Sequence, residues 1–408
     1  MNKKRVMAII VASPLTQNIF ERIGADIMNA TFDVVVIDCM DWIRKYKKRP
    51  LFKPIQEKNI FLAESKSEFN DILSRVKVDY VLDFIGRGNH TRLIQDICKD
   101  LNIIYITHLL ASSPQPITQK SLVQALISEP IVTIKRIFNY ILRLLYGEKP
   151  LSPDVALLAG SEGVNSWTKS AKKVIFTATP NYFTLQNIIN RENLESETVS
   201  NLIPKGEYIL FLDDCLSMSF DYDLSSYKPV YDSSEYFSLL EKFFLILEEY
   251  FHIPVVIAAH PNGKEFNGYE GLFGKRIVKF DESAKLSSNC KFAITHFSSA
   301  ITYPILLRKP ILLLNSTRLL KTPQGRMINY IAEILSCNQI NMDDDVSTKD
   351  ITGLKLSKVN EDCYSKYEER FIKNVEVKGD SSFYELILYL SSLERHNLHG
   401  LNEDRINV

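Results

Sequence analysis

The sequence predicts an α/β protein of two doubly wound, Rossmann-like domains facing a cleft, with helices closing the chain. Three observations predict it. The 408 residues exceed what one hydrophobic core comfortably supports, so two domains of roughly 150–200 residues are expected. β-branched runs alternate with amphipathic stretches, the pattern of βαβ units and a largely parallel sheet. One polar, unpatterned segment, residues 190–205, separates two such alternating series. The expected layout is a first domain over residues 1–200, a second over 201–350, and helices over 351–408 that pack across both.

The first series opens with the apolar run 6–11, followed by an amphipathic stretch over 17–29. Residues 33–38 (DVVVID) and 78–85 (VDYVLDFI) have the continuous apolar character of strands buried on both faces. After the second comes Gly86-Arg87-Gly88-Asn89 and a helical pattern through Leu101. Residues 102–107, 154–159 and 173–176 complete the expected strands of this half. In the second series, strands are expected at 207–212, 254–259, 276–280, 291–295 and 310–314. Helices are expected at 234–250, 298–307 and 321–334, and two more over 357–393 with a break near Lys378-Gly379-Asp380.

Composition narrows the function classes. The 49 Lys and Arg balance the 49 Asp and Glu. No global field therefore draws the chain to nucleic acid, and any anionic partner must be held locally. Six cysteines lie far apart without a CxxC pair, which fits neither a disulfide framework nor a zinc site. The apolar start of the chain is short and runs into a helical pattern, so it reads as a core strand rather than a signal peptide. No stretch of about 18 uninterrupted apolar residues exists to span a bilayer. A cytoplasmic protein is expected. Residues 131–146 (IVTIKRIFNYILRLLY) are very apolar, with Lys135, Arg136 and Arg143 as their only charges. Two readings stay open there: a helix lying at a membrane surface, as a peripheral contact on the inner membrane, or a buried helix of the first domain.

In open parallel sheets, ligands sit at the carboxyl ends of strands, so the polar residues just after each strand matter most. Three groups stand out in the second half. Asp213-Asp214-Cys215 follows the strand 207–212. His260-Pro261-Asn262-Gly263-Lys264 follows 254–259, and Ser298-Ser299 lies just beyond 291–295 and opens a helix. Each alone has an ordinary explanation: a carboxylate or serine caps a helix, and a histidine sits in a turn. Together, in order on one sheet edge, they describe a site that holds an anion and moves a proton.

The order of an acidic pair, an HP dipeptide and a serine pair resembles the bacterial sialyltransferases of GT-B architecture. Asp213-Asp214 is similar to their D/E-D/E-G motif, His260-Pro261 to their HP motif and Ser298-Ser299 to their serine motif. Residues 253–315 also resemble proteins of bacterial surface-polysaccharide clusters. One departure is Cys215, which stands where the motif has glycine. The resemblance implies an inverting transferase with a CMP-sugar donor, no metal and no further cofactor. The sugar implied is sialic-acid-like, pseudaminic, legionaminic or Kdo-like, and the acceptor is a glycan or lipid-linked glycan of the capsule or lipopolysaccharide kind.

The same resemblance implies Asp214 or Asp213 as general base, with Asp214 favoured, and His260 as donor to the departing phosphate. Pro261, Asn262, Gly263, Lys264, Ser298 and Ser299 would line the nucleotide, with Glu282 at the ribose. On the acceptor side of the cleft, the sequence offers Ser13, Gly86, Arg87 and Asn89, all just after strands. Asp221-Tyr222-Asp223 is formally DxD but falls in a Ser/Tyr-rich loop, so no metal site is expected. Two rivals stand beside this reading. One is a UDP-sugar transferase or epimerase on the same scaffold. The other is a non-catalytic glycan-binding subunit of an assembly complex.

Overall fold

The computed structural model describes residues 4–13, 15–44, 59–88, 90–110, 114, 134, 152–194, 206–218, 222, 228–343, 348–354, 356–373 and 375–403. Asn89, the stretch 131–146 apart from Ile134, residues 195–205, Asp221 and Asp223 lie outside them.

Two parallel sheets make up the architecture. The first contains β1 (Val6–Val11), β2 (Asp33–Asp38), β3 (Ile60–Leu62), β4 (Tyr80–Asp83), β5 (Ile104–Leu109), β6 (Val155–Ala159) and β7 (Lys173–Thr177), in the order β3-β2-β1-β4-β5-β6-β7. The second contains β8 (Ile209–Leu212), β9 (Val255–Ala259), β10 (Ile277–Phe280), β11 (Phe292–Thr295), β12 (Ile311–Asn315) and β13 (Asn338–Asn341), in the order β10-β9-β8-β11-β12-β13. In each sheet the chain builds outward on one side and then crosses back to build the other. The reversal falls between β1 and β4, and again between β8 and β11.

The apolar runs become strands because both faces of each sheet are covered. Met7, Ile9 and Val11 point into one cluster, while Val6, Ala8 and Ile10 point into the other. β8 divides in the same way, with Ile209 and Phe211 on one face and Leu210 and Leu212 on the other. Each of the Val, Ile, Leu, Met and Phe side chains contributes roughly 1.5–3 kcal/mol when fully buried. The long helix Ser233–Phe251 backs the second sheet. Its Asp232 cap accepts from Glu235 N at 2.9 Å, and Tyr236, Leu240, Phe243 and Leu247 form its buried stripe.

Three differences from the sequence expectations have physical causes. Strands β3 and β13 sit at sheet edges and are short: β3 has only three residues, IFL, and β13 reads NQIN and buries only Ile340. The expected linker 190–205 begins inside a helix, Pro180–Leu194, whose charged end mimics a linker in sequence. The expected helix 298–307 is a 3₁₀ turn, Ser299–Ile301, followed by a five-residue α-helix, Thr302–Leu306. Pro304 lacks an N–H and its ring disfavours a regular α-turn before it.

The chain ends by crossing back. Tyr364, Tyr367, Phe371 and Ile372 belong to the core of the second domain. In the same stretch, the carbonyls of Glu369, Arg370 and Ile372 accept from the first domain's Ser161, Glu162 and Thr179 at 3.0, 2.9 and 3.1 Å. Phe383, Leu386 and Leu390 then pack into the first domain's core.

Candidate functional site

The two carboxylates at the end of β8 reach in opposite directions, each to one neighbouring strand. Asp213 is 2% exposed and turns towards β9. Its Oδ1 accepts from Cys215 N at 2.9 Å; its Oδ2 accepts from His260 N at 2.9 Å and from the Tyr269 hydroxyl at 2.6 Å. Almost fully buried among three donors, it anchors the loop after β9. Asp214 turns towards β11. Its Oδ2 accepts from Thr295 Oγ1 and His296 N, both at 3.0 Å, and its Oδ1 from Phe297 N at 3.3 Å.

Asp214 therefore spans the point where the strand order reverses, the place at which doubly wound sheets receive ligands. Burial pushes its carboxyl up to about 7. The neighbouring charge of Asp213 adds to the rise, and the three donors oppose it. A carboxyl that titrates there is matched to proton transfer at neutral pH.

His260 caps the 3₁₀ turn Pro261–Glu265. Its Nδ1 accepts from Asn262 N at 3.2 Å, so a neutral ring carries its proton on Nε2, as a donor. Pro261 fits the first position of that turn because its N–H would have no partner there. Gly263 is required by close approach: a Cβ would stand 2.5 Å from the Tyr269 ring. Lys264 pairs with Asp281 at the exposed surface, and Glu282 stands 4.0 Å from Lys285. Neither Lys264 nor Glu282 contacts the Asp214 cluster among the described residues.

The serine turn joins the cluster through Thr295, whose Oγ1 accepts from Ser298 N at 3.2 Å while donating to Asp214. Ser298 Oγ accepts from Ala300 N at 3.4 Å, and Ser299 O accepts from Asn181 Nδ2 at 2.9 Å. The helix behind is too short for the extended N-terminus that the sequence suggests, so the side-chain hydroxyls, rather than a helix dipole, are what this turn offers. Ser298 and Ser299 line a narrow cleft between the domains.

Behind this edge, His296 is fully buried. Its Nδ1 donates to Leu314 O at 2.9 Å and its Nε2 accepts from the Tyr236 hydroxyl at 3.0 Å. Burial lowers its pKa to about 4, so it is neutral at physiological pH and fixes the backbone that holds Asp214. Thr295, His296, Tyr236 and Tyr269 were not singled out as site residues from the sequence. The run Thr295-His296 directly before Ser298 carried a signal; the two tyrosines carried none.

The first domain's residues occupy the matching position on the other sheet. Ser13 follows β1, and Gly86 and Arg87 follow β4, on either side of its reversal. Gly86 (φ +83) has open space where a side chain would stand, and its N–H donates to Asp83 at 3.3 Å. The Arg87 guanidinium lies over the Trp167 ring at 5.4 Å. No contact joins these residues to Asp214 among the described residues. No group of three or more His, Cys, Asp or Glu arranged to hold a metal ion occurs among the described residues. No helix among them is long and apolar enough to cross a membrane.

No protein-family model matches the sequence, and no curated protein matches it significantly. Solved structures do match. The wall teichoic acid polymerase TagF (H444N variant) is 11% identical over 98% of this chain and 90% of that one, with a TM-score of 0.53. A UDP-GlcNAc 2-epimerase from Methanocaldococcus jannaschii, in complex with UDP-GlcNAc and UDP, is 12% identical over 95% and 99%, at 0.46. MurG from Acinetobacter baumannii is 10% identical over 91% and 96%, at 0.43. At such identities the TagF likeness shows the fold alone. With the two parallel sheets and the returning C-terminal helices, the chain has the GT-B architecture.

Proposed function

We propose that this chain is an inverting, metal-independent glycosyltransferase that moves a sialic-acid-like, pseudaminic, legionaminic or Kdo-like sugar from its CMP form to a bacterial surface glycan. One observation carries the reading. A carboxyl raised to about 7 stands at the reversal of the nucleotide-side sheet, on the same edge as a histidine whose neutral ring offers Nε2–H.

The chemistry follows from those groups. Asp214 takes the proton of the acceptor hydroxyl as its oxygen attacks the anomeric carbon. The bond from that carbon to the CMP oxygen breaks on the opposite face, so configuration inverts. CMP leaves with the bonding pair, and His260 Nε2–H donates to the phosphate as its charge grows. The Ser298 and Ser299 hydroxyls hold other phosphate oxygens. A single phosphate develops less charge than a diphosphate, and protein donors then suffice without a metal ion. Asp213 positions His260 by accepting from its backbone N–H. Glu282 serves the ribose, and Ser13, Gly86 and Arg87 face the glycan or lipid-linked acceptor at the cytoplasmic side of the membrane.

The test is a thermal-shift and titration panel of CMP, CDP, UMP and UDP. CMP should stabilise most, by about 2.7 kcal/mol at a concentration 100-fold above its Kd. Absence of CMP binding refutes the reading, and preferential binding of UDP replaces it with a UDP-sugar enzyme.

A further inference from the structure

The described wall of the interdomain cleft is largely apolar and carries a single charged side chain. Arg22, the last residue of the helix Gln17–Arg22 in the first domain, lines it, and no carboxylate does among the described residues. Across the cleft stand Ser298, Ser299 and Thr302 of the second domain, with Thr179 and Asn181 beside them. These offer hydroxyls and an amide, groups that can complete an anion's hydrogen bonding without adding charge.

Arg22 also differs from arginines placed elsewhere. Arg276, Arg308, Arg318 and Arg370 are each paired with a glutamate. Arg22 is exposed and has no ion pair or hydrogen bond among the described residues. Its charge reaches the second domain, where it acts on the buried Tyr303 hydroxyl against the effect of burial. A cation with no partner among the described residues, in a cleft whose described lining carries no acid, is placed to hold an anionic ligand.

We infer that Arg22 is an anion-binding residue of the cleft, gripping an anionic oxygen group of the substrate against the hydroxyls of the opposite wall. The planar guanidinium fork suits both phosphate and carboxylate. The ligand's identity rests on the function proposed above, and within it two groups have this chemistry: the phosphate of CMP and the carboxylate of the acidic sugar. Held from both sides, the anion bridges the domains, so substrate charge favours the closed cleft.

The test compares wild type with Arg22→Gln and Arg22→Lys by calorimetric titration. The probes are CMP, CMP-N-acetylneuraminate, UDP, pyrophosphate and cytidine. Loss of a charge-assisted contact should weaken anion binding ~10- to 100-fold in Arg22→Gln, with partial recovery in Arg22→Lys and no change for cytidine. Equal loss for CMP and CMP-N-acetylneuraminate assigns Arg22 to the phosphate; loss for the sugar nucleotide alone assigns it to the carboxylate. Arg22-dependent binding of UDP or pyrophosphate, with no binding of the CMP compounds, removes the CMP-sugar reading and keeps the anion site. Unchanged affinity of Arg22→Gln for every anionic probe overturns the inference, as does a wild type that binds none of them. The thermal midpoint of Arg22→Gln should match wild type, because no ion pair or hydrogen bond among the described residues is lost.

Discussion

Two adjacent aspartates that are chemically identical have different surroundings, and the difference lies in what each one touches. Asp213 is buried among Cys215 N, His260 N and Tyr269, whereas Asp214, also held by three donors, is only partly buried by its surroundings and sits at the reversal with its carboxyl raised to about 7. The backbone between them and the following loop turns at Cys215, which has φ +53. That is the left-handed region in which glycine is at ease, so the cysteine adopts the conformation for which the resembling motif uses glycine. The turn costs a residue with a Cβ roughly 1–2 kcal/mol. Burial of the small side chain, 2% exposed, returns a similar amount. Cys215→Gly is therefore expected to change stability by less than about 1 kcal/mol, while Cys215→Val should cost ~1–3 kcal/mol because a branched Cβ is strained there. Urea unfolding of both variants checks this, and equal midpoints would contradict the strained turn.

At the scale of elements, the site is made by loops that follow neighbouring strands. The loop after β9 is fixed by a short chain: Asp213 holds His260 N and the Tyr269 hydroxyl, and the Tyr269 ring lies where a side chain at residue 263 would stand. Gly263→Ala forces that ring to move and should destabilise the protein by ~1–3 kcal/mol, with a parallel loss of nucleotide affinity as His260 shifts. A stable variant with unchanged affinity would show that the loop does not depend on this packing. Most of this was legible in the sequence, because central strands buried on both faces announce themselves as apolar runs and the polar residues after them are easily found. The edge strands β3 and β13 were not, since β3 is only three residues long and β13 is mostly polar. Nor was the division of labour between Asp213 and Asp214, which depends on Tyr269 and Thr295, residues brought near by the fold and not by the chain. The serine turn was found, but its expected long helix was not, because Pro304 resets the turn.

At the scale of the whole molecule, the returning segment holds the two domains together by backbone contacts. Gly160 (φ +70) lies so close to it that a Cβ would stand 2.3 Å from the Arg370 carbonyl oxygen. Glu162 and Arg370 add an ion pair at 3.0 Å. Gly160→Ala should break this joint. The expected result is a lower thermal midpoint, corresponding to ~1–3 kcal/mol, with faster hydrogen exchange at the Ser161 and Glu162 amides. Unchanged exchange would place the domain junction elsewhere. The balance of 49 positive and 49 negative residues also bears on the proposal at this scale: with no net field to attract an anionic substrate, recognition would fall to a few oriented groups.

The central claim is that Asp214 is the base of a CMP-sugar transferase. Its native carboxyl titrates near 7, above the ~3.9 of an unfolded chain. Between those values the native state holds a proton that the unfolded state releases, so this group lowers stability as pH rises through the interval. Asp214→Asn should accordingly be relatively more stable at about pH 8 than at about pH 4. The direct measurement is the pH dependence of CMP release from CMP-N-acetylneuraminate in the presence of a glycan acceptor. Wild-type turnover should rise with pH through an apparent pKa near 7, and Asp214→Asn should lose ~10²- to 10⁴-fold in kcat while binding CMP almost as wild type does. Full turnover by Asp214→Asn, or a wild type that releases no CMP at any pH, would contradict it.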